Sequence, residues 1–259
     1  GRYRIEEEWR RGGFATIYTC VRQSDGQRFA LKVLRTDTAM DAEALPRFRR
    51  EIRLLKQVNH PQVIRLYEDN LDDLPKHPGY VMDLADYSLA DYLEGAAEKT
   101  ELFGTAVTRP AVNAGRALEL IYCVAGAVQA LHERDTSIVH RDINPNNILF
   151  QADTGWMISD FGLAAFMCRS PATSTFATNT GPGMGTAHYT APEQWRDLRA
   201  ASFQSDVYSL GVLIWELFST ETLFRLDHLG VPHWLDSLVR TAVAYKPEDR
   251  FASVVELCT

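Results

Sequence analysis

The chain predicts an α+β fold: a small antiparallel β-sheet carrying one helix, followed by a larger and mainly α-helical region. Three observations carry this. Short runs of β-branched and aromatic residues, broken by Gly12-Gly13 and Ser24-Asp25-Gly26, fill positions 3–34. An amphipathic stretch opening at Pro46 comes next, with two more strand-like runs behind it. Farther along, apolar residues recur at helical spacing, and the polar loops between them hold acidic and amide side chains.

The strand-like stretch from Tyr3 to Leu34 reads as three antiparallel strands, the first two joined at Trp9-Arg10-Arg11-Gly12-Gly13-Phe14-Ala15-Thr16-Ile17 and the third ending in Ala30-Leu31-Lys32. Pro46 suits the first turn of a helix running to about Val58, with Phe48, Ile52 and Leu55 as its buried stripe. Glu51 lies on that stripe. An inward carboxylate needs a cation, because desolvating it alone is costly or shifts its pKa; Lys32 is the natural candidate. His60-Pro61 ends the helix, and Val63 to Tyr67 and Tyr80 to Met82 read as strands flanking a polar hairpin with Pro75 and Pro78.

Residues 95–116 lack periodicity and read as an exposed insertion. Leu118, Ile121, Tyr122, Ala125, Val128 and Leu131 then mark a long amphipathic helix, with that stripe as core. It delivers the chain to His140-Arg141-Asp142-Ile143-Asn144-Pro145-Asn146-Asn147, a polar loop held at its far end by Ile148-Leu149-Phe150. Asp142 can accept a proton from a hydroxyl, and Asn147 offers an amide oxygen to a metal ion. Asp160-Phe161-Gly162 adds a second carboxylate beside a glycine that permits close backbone approach. The following segment, with Ser170, Thr173, Ser174, Thr175, Thr178 and Thr180, is too polar to bury much surface. Ser205 and Asp206 read as the cap of a buried helix from Val207 to Ser219.

At 259 residues the chain can bury a large core, and length alone allows one or two domains. A net charge of -7 and a pI near 5.5 leave no broad basic surface, so no nucleic-acid or anionic-membrane partner is expected. Cys20, Cys123, Cys168 and Cys258 are too scattered for a zinc site and suggest reduced thiols. No apolar run reaches the ~18 residues of a membrane span, and Gly1-Arg2-Tyr3-Arg4 does not begin a signal peptide. These point to a cytoplasmic location, as a free protein or the cytosolic domain of a larger one, with no direct membrane insertion.

His140-Arg141-Asp142 with Asn147, followed by Asp160-Phe161-Gly162, resembles the H-R-D-x-x-x-x-N and D-F-G signatures of protein kinases. Either tripeptide alone occurs in ordinary solvated turns; the two in this order are specific. The resemblance extends over nearly the whole chain and is nearest the eukaryotic-type serine/threonine group, including its bacterial members. It implies a two-lobed protein-kinase-like fold in one domain, residues 1–259, with an N-lobe to about 82, a hinge over about 83–88 and a C-lobe from about 89.

The same resemblance implies ATP and magnesium as cofactors and assigns the site residues. Lys32, fixed by Glu51, would hold the nucleotide phosphates, and the loop Arg10, Arg11, Gly12, Gly13 and Ala15 would cover them. Ile17, Ala30 and Leu149 would sandwich the adenine, with Met82 at the back of the pocket and the Asp83 carbonyl and Ala85 amide facing the base. Asp142 would orient and deprotonate the acceptor hydroxyl, while Asn147 and Asp160 hold the metal. Thr186 would help arrange Asp142 and favours a protein substrate with a serine or threonine acceptor. Asp206 would anchor the catalytic loop, Arg250 would pair with Glu193, and the stretch from Phe224 to Trp234 looks trimmed. Arg141 would receive a phosphate on the activation segment.

Three positions depart from the pattern: Arg10 and Ala15 stand where glycines are usual, and Asn144 stands where serine/threonine kinases place lysine. Losing one preorganised cation costs roughly a hundredfold in rate, about 3 kcal/mol. Arg10 or Arg11 is expected to replace part of that charge. Two functions therefore stay open: an ATP-dependent serine/threonine kinase regulated by activation-segment phosphorylation, or an ATP-binding pseudokinase or signalling scaffold. Retention of Lys32, Glu51, Asp142, Asn147 and Asp160 favours the first. Dimerisation, the physiological substrate and the activating signal are not legible.

Overall fold

Strands β1 (Tyr3–Arg11), β2 (Ala15–Arg22) and β3 (Arg28–Leu34) form where the sequence places them. The computed structural model describes residues 2–35, 44–71, 77–102, 105–110, 112–161, 186–221 and 229–259. In it β4 (Leu66–Asp69) and β5 (Gly79–Met82) complete an antiparallel sheet of order β1-β2-β3-β5-β4. Register decides what faces the cleft. Ile17 pairs with Lys32 and Lys32 with Tyr80, while Thr19 pairs with Ala30 and Ala30 with Met82. Side chains alternate along strands, so these six share one face. The opposite face gathers Cys20, Phe29 and Val81 under Tyr3, Leu31 and Tyr67.

Helix α1 (Ala44–Gln57) packs on the first face through Phe48, Ile52 and Leu55, with the Phe48 and Tyr80 rings 5.5 Å apart. The expected inward stripe is present, and Glu51 is buried on it. The strand expected at Val63 to Tyr67 is corrected to Leu66–Asp69. Val63 makes only an isolated bridge to Ile158; Ile64 N donates to the Ile158 carbonyl and Ile158 N to that of Gln62, both at 2.9 Å. These bonds join the N-terminal part to the rest.

The remainder is built on β6 (Tyr87–Ser88), α2 (Leu89–Ala96), a ribbon of β7 (Ala97–Leu102) and β8 (Thr105–Pro110), and α3 (Ala114–His132). Strands β9 (Ile148–Gln151) and β10 (Gly155–Ile158) join β6 in order β10-β9-β6. Helices α4 (Pro192–Arg196), α5 (Phe203–Phe218), α6 (His233–Ala242) and α7 (Val254–Leu257) follow. The featureless insertion expected at 95–116 is thus corrected: it holds an antiparallel ribbon and the first turn of α3, capped by the Asn113 side chain on Gly115 N. β-branched Thr100, Thr105, Val107 and Thr108 suit those strands.

The stripe on α3 is also corrected. Leu118 and Tyr122 are 48% and 77% exposed, and the buried face is Ala117, Leu120, Val124, Ala127, Val128 and Leu131, packed on α5 and β10. By length and composition α3, 19 residues at mean hydropathy 1.2, could cross a membrane; in this fold one face is core. The cap of α5 is Ser202, one turn before the expected Ser205-Asp206, with Ser205 Oγ accepting from Ser202 N at 3.0 Å. A further fit to expectation is Arg250, whose Nη1 and Nη2 each reach a Glu193 oxygen at 2.8 Å. Burial alone would raise the Glu193 pKa, but Arg250 and Ser205 outweigh it and hold the carboxyl below its usual range. Residues 162–185 and 222–228, which hold most of the expected activation segment and the first part of the expected trimmed stretch Phe224 to Trp234, lie outside the described residues.

Helix α5 carries one more carboxylate inward. Glu216 accepts a hydrogen bond from the Tyr189 hydroxyl, no cation pairs with it among the described residues, and burial pushes its pKa to about 7. A carboxyl raised on folding binds its proton more tightly in the native state, so stability falls as pH rises through the window from its usual value to about 7. Glu216→Gln keeps the acceptor without the charge. It is expected to be more stable than wild type by about 3 kcal/mol near pH 8 and equal near pH 4, read by urea titration at both.

Candidate active site

The polar loop after α3 is fixed from beneath by one carboxylate. Asp206, fully buried near the start of α5, accepts from His140 N on Oδ2 and from Arg141 N on Oδ1, both at 2.8 Å, and contacts His132 Nε2 at 2.8 Å. His140 is buried, and burial lowers its pKa, so it is neutral. Its Nε2 donates to the Ser159 carbonyl at 3.0 Å, its Nδ1 accepts from Asp142 N at 3.3 Å, and its ring lies 5.1 Å from that of Phe161. Arg141 has a left-handed φ of 72°, and its carbonyl accepts from Gln194 Nε2 at 3.1 Å. A non-glycine residue held there costs roughly 1–3 kcal/mol, typical of a site that must aim a neighbouring side chain.

Asp142 is that neighbour. Asn147 Nδ2 donates to its Oδ2 at 2.6 Å and its carbonyl at 2.9 Å; Asn144 Nδ2 donates to its Oδ1 at 2.9 Å and the same carbonyl at 3.1 Å. The oxygen of Asn144 caps the turn Pro145–Asn147 through Asn146 N. Burial, with the nearby negative charge of Asp160, outweighs these amides and pushes the Asp142 pKa to about 7. A base poised near neutrality suits proton transfer.

Asp160 follows β10 with a φ of 61°, and its register to the loop is set by Ser159 N donating to the Asn147 carbonyl at 2.9 Å. From the other lobe Lys32 Nζ reaches Asp160 Oδ1 at 2.5 Å and Glu51 Oε1 at 2.8 Å. Burial opposes the ammonium charge, yet the two carboxylates together raise the Lys32 pKa. One cation cannot fully serve two anions. Asp160 is held below its usual range by Lys32 despite burial, whereas burial drives fully enclosed Glu51 up to about 7. Glu51 Oε1 also accepts from Tyr80 at 2.9 Å, and Oε2 has no partner among the described residues.

Met82 is buried against Ala30, and the Asp83 side chain is engaged by Arg65 N and the Tyr67 hydroxyl, both at 2.8 Å. The Asp83 carbonyl and Ala85 amide make no hydrogen bond among the described residues, so this strand end keeps an acceptor and a donor free. Ala30, Met82, Ala85 and Leu149 belong to one continuous core, with Ile17 packed against it. Gly12 N bonds to the Ala15 carbonyl at 2.9 Å, and Arg35 ties the loop down through Gly12 O at 3.1 Å and Phe14 O at 2.8 Å. Gly13 lies at the turn and Arg11 is exposed. Thr186 opens the short turn Thr186–Tyr189; its side chain lies outside the described residues.

Arg10, one of the two arginines expected to replace part of the missing charge, is paired in this structure. Its Nη2 lies 2.6 and 2.8 Å from the Asp91 oxygens and 3.1 Å from Ser88 Oγ, so its charge is matched at the edge of the cleft. Sequence reasoning missed Asp91, although Ser88-Leu89-Ala90-Asp91 carried a signal: Ser88 and Asp91 cap α2 reciprocally, Ser88 N to Asp91 Oδ2 at 2.9 Å and Asp91 N to Ser88 Oγ at 3.2 Å. Burial first, and then the like charge of Arg50, lowers the Arg141 pKa.

Among the described residues no group of three or more His, Cys, Asp or Glu could enclose a metal. Asn147 Nδ2 is committed to Asp142, which leaves its Oδ1 and a partly exposed Asp160 carboxylate as an all-oxygen pair. That donor set fits magnesium, which keeps several waters and takes few protein ligands.

The sequence profile described as protein kinase domain matches residues 3–250. Serine/threonine-protein kinase PknL of Mycobacterium tuberculosis is 31% identical over 276 residues, covering 99% of this chain and 64% of that protein. PknB of Mycobacterium leprae is 30% identical over 277 residues, covering 99% and 42%. The chain therefore spans less than two thirds of these curated relatives. The crystal structure of the Mycobacterium tuberculosis PknI kinase domain superimposes with a TM-score of 0.70 at 22% identity, over 99% of this chain and 94% of that one, a likeness of fold.

Proposed function

The chain belongs to the protein kinase domain family, and from that premise we propose that it transfers the γ-phosphate of ATP to serine or threonine hydroxyls of a protein substrate. The observation that carries this reading is the meeting of Lys32, Glu51 and Asp160 across the cleft from a clamped Asp142. Asp142 accepts the hydroxyl proton. Lys32 holds phosphate oxygens, kept charged by Glu51 and Asp160. Asn147 Oδ1 and Asp160 would hold magnesium, which when bound would supply positive charge against the phosphates. The Asp83 carbonyl and Ala85 amide would read the adenine edge, with Met82 at the back of the pocket and Ile17, Ala30 and Leu149 flanking the ring; the Gly13 amide would face the phosphates, since Gly12 N is already bonded to the Ala15 carbonyl. The printed names of the relatives support serine or threonine as acceptor.

Regulation by phosphate on the activation segment is part of this reading. Burial and the like charge of Arg50 both disfavour the Arg141 charge, and an anion beside Arg141 would offset that cost. Cytosolic work on a protein substrate completes the proposal. Incubation with magnesium and γ-labelled ATP, followed by phosphoamino-acid analysis of the protein product, is expected to give phosphoserine or phosphothreonine. Phosphatase pretreatment should slow transfer in wild type and have no further effect in Arg141→Ala. Retained ATP binding with no label on protein would support the scaffold instead.

A further inference from the structure

Asn144 lies in the loop where a lysine is expected, is 1% exposed, and has both ends of its amide engaged. We propose that Asn144 is a positioning residue for Asp142, forming with Asn147 a neutral two-sided clamp that fixes the carboxylate toward the acceptor hydroxyl. This rests on the reading of Asp142 as the base.

The geometry is nearly symmetric. Each asparagine places Nδ2 on the Asp142 carbonyl and on a different carboxylate oxygen, Oδ1 for Asn144 at 2.9 Å and Oδ2 for Asn147 at 2.6 Å. With a single grip the carboxylate plane could still turn, because its terminal torsion is broad and roughly two-fold. With two grips it cannot turn without breaking a hydrogen bond to a charged acceptor. A carboxylate oxygen has two acceptor directions, so each retains one for the incoming hydroxyl. Asn144 is itself held: its oxygen accepts from Asn146 N at 3.0 Å, and Pro145 fixes the first position of the turn. A lysine would supply a mobile cation here. Asparagine supplies orientation without charge.

Two variants separate clamping from capping. Asn144→Asp is isosteric and keeps the acceptor for Asn146 N, yet has no donor for Asp142; Asn144→Ser keeps an acceptor and is too short to reach. Both are expected to lower kcat about tenfold with KM for ATP unchanged. Asn144→Lys, which restores a donor, should hold kcat at or above wild type. The clamp is also read without turnover, from the carbon-13 carboxyl resonance of Asp142, assigned by its loss in Asp142→Asn. That resonance should move in Asn144→Ser. An unmoved resonance, or wild-type kcat in both the Asp and Ser variants, would overturn the proposal, as would a loss confined to KM. Asp142→Ala run in parallel separates the failures: if it turns over like wild type, or if wild type itself transfers nothing, the base reading falls and the positioning role falls with it.

Discussion

Asp142→Ala is expected to lower kcat by about 10³-fold while leaving ATP binding intact. The carboxylate is half-buried, lies between two amides, and is hydrogen-bonded neither to Lys32 nor to the free donor and acceptor at Asp83 and Ala85. Nucleotide affinity therefore has little to lose from its removal. A positioned base typically contributes about 10²–10⁴ in rate. Steady-state kinetics with a protein acceptor, beside calorimetric titration of ATP, checks both halves. An equal fall in affinity and kcat would assign Asp142 to nucleotide binding.

The second large effect is structural. Asp206→Ala is expected to destabilise the fold by about 3–5 kcal/mol, which for a chain of this size lowers Tm by about 10 °C. The substitution removes one buried carboxylate and strands three donors: His140 N, Arg141 N and the ring of His132. Unsatisfied buried groups carry their full desolvation cost, so the loss exceeds that of one ordinary hydrogen bond. Because the same bonds hold Arg141 in its left-handed conformation, activity should fall before the protein unfolds. Thermal denaturation with activity measured below the transition tests this; an unchanged Tm would mean that the loop is anchored elsewhere.

Much of this site was legible before any coordinates. The period-two strands fixed which residues share the cleft face, so the pairing of Lys32 with Glu51 followed from one strand end and one helix stripe. Where the reading failed, packing choices were hidden. On α3 two apolar stripes compete, and small Ala117 and Ala127 won the core over Leu118 and Tyr122 because close approach to α5 and β10 favours little side chains. The cap at Ser202 was obscured by a second serine three residues on. Arg10 illustrates a different limit: its partner Asp91 is 81 positions away, and only the folded chain brings them together. For Asn144 the sequence revealed a missing cation; that its amide grips Asp142 depends on how the turn Pro145–Asn147 folds back.

The most direct test is a crystal structure of the protein with manganese in place of magnesium and a non-hydrolysable ATP analogue. Anomalous density is expected between Asn147 Oδ1 and an Asp160 oxygen, with the triphosphate against Lys32 and the adenine edge on the Asp83 carbonyl and Ala85 amide. Nucleotide bound away from these groups, or a metal that touches neither Asn147 nor Asp160, would contradict the assignment.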